Sequence, residues 1–155
     1  MGQQQLLLLV LGIVIVGLAV VVGIQAFSEN QKKANVDAMV NDGVRIASDA
    51  QAWALKPAQF GGGAGSFSDI DLNKLGYQPV AAADQSPLTG EVYRNLNGEY
   101  QVFEENATTI RIEGYNFDAA DSSIVDNEIQ IRVCGFEYND ILTAQGVGVT
   151  AATCP

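Results

Sequence analysis

The run LLLLVLGIVIVGLAVVVGI, residues Leu6 to Ile24, decides how the chain must fold, because nineteen consecutive positions carry neither charge nor polar side chain. As a helix rising 1.5 Å per residue, it spans roughly 28 Å, about the hydrocarbon thickness of a bilayer. A secretory signal peptide begins with basic residues, and Met1 to Gln5 has none; Ile24-Gln25-Ala26 is also a poor cleavage site. A simple transmembrane anchor is the second reading. Against it, no Trp or Tyr brackets the span, and Gly12, Gly17 and Gly23 interrupt it. Small residues at such places let helix backbones approach one another closely in apolar surroundings.

The helical pattern outlasts the apolar run. Val36, Met39, Gly43, Ile46, Ala50 and Trp53 recur three and four apart, forming one stripe that Val40, Ala47 and Ala54 widen. Asp37, Asn41, Arg45 and Asp49 fall largely on other faces. No proline interrupts the chain before Pro57, which marks a stop near Lys56. The spacing therefore predicts one helix to about residue 55, roughly 80 Å long, apolar all round in its first half and amphipathic in its second. Such a rod must be buried in lipid or among copies of itself.

Residues 57–90 read as a long irregular connection, with Gly61-Gly62-Gly63-Ala64-Gly65 a flexible loop. Ser68-Asp69-Ile70-Asp71 predicts a capping box opening a short helix that ends at Gly76. Strand signals follow. Glu91 to Leu96 and Glu99 to Glu104 flank Asn97-Gly98, the pair that favours a type I′ hairpin turn. Thr108 to Glu113 and Glu128 to Cys134 alternate, with Ile110, Ile112, Ile129, Ile131 and Val133 on apolar faces. The sum is an α+β fold: a long N-terminal helix packed through Val36, Met39, Ile46 and Trp53 on an antiparallel sheet of about four strands.

Cys134 and Cys154 have no metal-type spacing. In a domain attached to a membrane-type segment they suggest one disulfide made in an oxidising compartment, the alternative being two buried thiols. Regular alternation turns Cys134 away from the helix, so a bridge would tie the C-terminal tail across the outer side of the sheet. Net charge is −10, with 8 basic against 18 acidic residues, which argues against nucleic acid as the primary ligand. Histidine is absent, and no nucleophile, base and orienting group can be assembled, so an enzyme is not expected.

This layout resembles a type IV pilin: an apolar helix with a polar residue at position 5, an amphipathic extension, a glycine-rich loop, an antiparallel sheet and a C-terminal cysteine pair. The pseudopilins of type II secretion share the first half of it. The resemblance implies a leader removed before Met1, with Met1 the methylated first residue of the mature chain. Gln5 stands where the family has a glutamate, and Val22 and Gly23 where it has a proline. It further implies assembly through Met1, Gln5, Leu6, Gly12, Gly17 and Gly23. The partners would be identical subunits in a helical filament, the inner membrane before assembly and a pilus assembly machinery. Residues 1–27 would form the filament core, 28–56 the amphipathic helix, 57–90 the connecting loop, and 91–155 the sheet with its disulfide-bounded region. The product would be an extracellular cell-surface filament, with cell adhesion among the roles such filaments serve. A secretion pseudopilin and a membrane-anchored binding protein are the alternatives.

Three smaller motifs remain. Asp69-x-Asp71-x-Asn73 begins like a calcium loop but lacks its glycine and final glutamate. Asp118, Asp121, Asp126 and Glu128 read as a solvated acidic turn before a calcium site, so neither metal nor cofactor is expected. Asn106-Ala107-Thr108 is a glycosylation sequon.

Overall fold

The computed structural model describes residues 2–82, 86–117, 125–137, 139–146, 148, 151, 153 and 154. Its helix α1 runs Gly2–Leu55 and falls into two separate units, up to Ala34 and from Asn35 onward. In the first unit every described residue is exposed. In the second, the expected stripe is the buried one: Met39, Ile46, Ala47 and Ala50 are sealed from solvent, with Trp53 nearly so. Val36 is half-buried at the edge of the same core.

Helix α1 ends through a cap that its own loop supplies. The last carbonyls of a helix lack partners within it. Here Gly63 N–H donates to Trp53 O at 3.0 Å, Gly65 N–H to Ala54 O at 2.7 Å and Ala64 N–H to Lys56 O at 3.0 Å. Trp53 Nε1 returns the contact to Gly61 O at 2.9 Å. The glycines expected to make a flexible loop instead let the backbone wrap this close: a Cβ on Gly63 would stand 2.8 Å from the Trp53 ring.

Six strands are described: β1 Val80–Ala81, β2 Glu91–Arg94, β3 Glu99–Asn106, β4 Thr109–Phe117, β5 Val125–Val133 and β6 Ile141–Gln145. They form one meander in chain order, each neighbouring pair antiparallel. Two more strands are present than the alternation revealed. β1 is too short to show a period, and β6 carries only a half-buried face. The row Tyr100, Gly114 and Ile129 and the row Val102, Ile112 and Ile131 both lie on the side that meets α1. Gly43 brings helix and sheet into close contact, since a Cβ there would stand 2.5 Å from Ile131 Cδ1 and 3.0 Å from Ile129 Cδ1. Phe67 closes the core from the loop, its ring 4.9 Å from that of Phe136.

Two local expectations are corrected. No helix opens at Ser68. The chain makes turns instead, with Asp69 at φ 61 and Asp71 Oδ1 accepting Asn73 N–H at 2.6 Å, before Gly76 turns left-handed at φ 86. Asp71 caps its own neighbour, a local bond that competes with a helical start. The hairpin also differs. Neither Asn97 nor Gly98 has a positive φ, so the turn is not type I′. Arg94 pairs with Glu99, leaving a four-residue loop in which Asn95 Oδ1 accepts Asn97 N–H at 2.8 Å and Gly98 N–H at 3.1 Å. Glycine is required at 98 for space: a Cβ would lie 2.6 Å from Tyr115 O.

Candidate functional site

The feature that calls for a function is the first unit of α1. The large apolar residues from Leu6 to Ile24 are exposed by between 50% (Val10) and 69% (Leu7). By length and composition the helix can cross a membrane. Around Gly12, Gly17 and Gly23 an added Cβ would meet nothing within 4 Å, so nothing inside the chain requires glycine there. Gln5 is exposed on the same helix, and Met1 lies outside the described residues. Water disfavours such a surface at about 25 cal/mol per Å² of apolar area. Isolated exposed leucines need no explanation, whereas a continuous apolar cylinder does.

In the second unit, polar side chains of α1 pin the ends of the strands. Asp42 Oδ2 accepts from Asn97 Nδ2 at 2.7 Å, Asn95 Nδ2 at 2.8 Å and the Tyr100 hydroxyl at 3.2 Å. Two turns earlier, Asn35 Oδ1 accepts from Asn116 Nδ2 at 2.8 Å and Asn127 Nδ2 at 3.2 Å. Near the other end, Gln51 Nε2 donates to Gly135 O at 3.0 Å and Glu137 O at 2.8 Å. Asp49 accepts the Tyr77 hydroxyl at 2.5 Å. Burial pushes the Tyr100 hydroxyl far above the usual tyrosine range, and the Asp42 carboxylate adds to it. The same causes raise Tyr77, with Asp49 as its anion, and Tyr115, with Glu128. Sequence reasoning missed Asp42, Asn35 and Gln51. Their only signal was position, polar residues interleaved with the apolar stripe, and their partners lie 50 or more residues away.

The outer side of the sheet carries charge and the tail. Glu105 Oε1 bridges Arg132 at 2.9 Å and Arg111 at 3.3 Å, two arginines paired across β4 and β5. Arg111 also meets Glu113 and lies 4.7 Å over the Phe103 ring. Cys134 and Cys154 form a disulfide with Cα atoms 5.4 Å apart. Ala151 N–H donates to Gln130 Oε1 at 2.6 Å, and Arg132 reaches Ala151 O at 3.4 Å. The described tail residues thus lie on the face turned from α1.

Among the described residues no group of three or more His, Cys, Asp or Glu side chains is arranged to hold a metal. Asp118 and Asp121 lie outside the described residues, as does the side chain of Asp126. Glu128 is spent on Tyr115 and on Gly148 N–H. Asn106 is exposed at the β3–β4 turn, its Oδ1 accepting from Thr108 N–H at 2.9 Å and Thr108 Oγ1 at 3.0 Å. Compared with known proteins, the chain matches no family, no curated protein and no solved structure.

Proposed function

We infer that the chain is a structural subunit of a pilus-like filament, polymerising by packing its apolar N-terminal helix among identical copies. One observation carries this reading: a helix with apolar residues exposed all round, bearing three glycines that its own chain does not require. In a bundle of parallel helices, glycine permits close backbone approach, where dispersion contacts accumulate. The lipid bilayer shelters the same segment before assembly, and the disulfide suits a head that faces an oxidising exterior. The sheet and loops then form the outer shell. A secretion pseudopilin would use the same helix in a shorter assembly.

The test is Gly12→Leu and Gly17→Leu in the full chain. At neither position would a new Cβ meet anything within 4 Å, and leucine is a better helix former than glycine. Membrane insertion and head stability are therefore expected to hold while filaments, viewed by electron microscopy of sheared material, become few or short. Normal filaments from both variants would refute packing at these positions. A parent protein that stays monomeric in the membrane fraction points instead to an anchored binding protein.

A further inference from the structure

Asn97-Gly98 is the one Asn-Gly pair in the sequence, and it sits within the clamp that joins the β2–β3 loop to α1. The asparagine amide is chemically labile when glycine follows. Without a Cβ, the glycine nitrogen can swing toward the asparagine Cγ, and attack there closes a five-membered succinimide. The Asn97 side-chain nitrogen departs as ammonia. Water then opens the ring at either carbonyl, leaving aspartate or, more often, isoaspartate.

Both groups are restrained here. Gly98 N–H donates to Asn95 Oδ1 at 3.1 Å, and Asn97 Nδ2 is held by Asp42 Oδ2 at 2.7 Å. Gly98 is buried, and its backbone lies so close to Tyr115 O that even a methyl would not fit. Attack therefore requires the loop to open first.

The product cannot return to the clamp. A carboxylate at 97 would face the Asp42 carboxylate where an amide now donates, replacing attraction with like-charge repulsion. Isoaspartate would in addition lengthen the main chain by one methylene beside a glycine that has no spare room. We propose that Asn97-Gly98 is a latent self-modification site, held inert by Asn95 and Asp42, whose deamidation irreversibly breaks the Asn97–Asp42 tie between the β2–β3 loop and α1. The inference is independent of assembly, because every group involved lies within one head.

The purified full chain, in detergent, is incubated at mildly alkaline pH with and without urea. Conversion at Asn97 is followed by peptide mass spectrometry, with isoaspartate scored separately. The folded protein is expected to convert at least about tenfold more slowly than the chain in urea. Asn95→Ala, shown folded by Trp53 fluorescence, should speed folded-state conversion at least about five- to tenfold, because its side chain makes the bonds to Asn97 N–H, Gly98 N–H and Asp42, and the loss of even one shifts an opening equilibrium by about that factor. Equal rates with and without urea overturn the proposal, as does an unchanged rate in folded Asn95→Ala. A second arm does not depend on that variant. Asn97→Asp should accelerate hydrogen exchange at the Gly98 amide at neutral pH, and adding Asp42→Asn should restore protection by reversing donor and acceptor. Exchange in Asn97→Asp as slow as in the parent overturns the release step.

Discussion

Replacing Gly43 with alanine tests the closest approach between helix and sheet. The new Cβ would stand 2.5 Å from Ile131 Cδ1 and 3.0 Å from Ile129 Cδ1, where carbon atoms rest at about 3.5–4.0 Å. Ile131 must therefore yield by about 1 Å, in a core where both isoleucines are fully buried. Overpacking of this kind costs about 1–3 kcal/mol, and alanine recovers about 0.8–1 kcal/mol of helix propensity. The net expectation is a loss of about 1 kcal/mol, which lowers the melting temperature of the head by roughly 4 °C. Ile131→Val removes the very methyl in conflict and alone costs about 0.5–1.5 kcal/mol. In the double variant the two should compensate, giving a favourable coupling of about 1 kcal/mol in a thermodynamic cycle. The assay is thermal unfolding of the detergent-held full chain, followed by near-ultraviolet circular dichroism. Unfolding of Gly43→Ala at or above the parental temperature, or strict additivity with Ile131→Val, would refute the packing argument.

Two further outcomes follow from the same geometry. Cys154→Ser opens a disulfide of sequence separation 20 and should destabilise the head by about 3 kcal/mol, with faster proteolysis after Ala151; unchanged unfolding and proteolysis would show that the bridge constrains nothing. Tyr77, Tyr100 and Tyr115 hold their protons more tightly when folded, so their contribution to stability is intact below pH 10 and is lost as pH climbs toward the raised values. Each then removes up to about 1.4 kcal/mol per pH unit. In a tyrosinate absorbance titration these three should ionise only as the head unfolds, and early ionisation of all tyrosines with the fold intact would contradict the burial described.

Much of this architecture was legible before any coordinates. An uncharged run of nineteen residues admits only helix in an apolar setting, because no other backbone form satisfies its own polar groups there. The stripe from Val36 to Trp53 and the alternation around Ile110, Ile112, Ile129 and Ile131 are local periods, so they named the two faces that meet. The parity of β5 likewise carried the tail to the outer side of the sheet. What stayed hidden was every feature set by partners distant in sequence. Gly98 looked like a turn residue, yet its conformation is ordinary and its purpose is clearance for Tyr115. The glycine run after Phe60 looked flexible, yet it caps α1. No period singled out Asp42, and its role exists only where the loop residues Asn95 and Asn97 and the β3 residue Tyr100 converge on it. Periodicity states which side of an element is apolar; it does not state which atoms will be within 3 Å once two elements close on each other. That distance is set by side-chain volumes on both surfaces together, and only the assembled tertiary structure contains it.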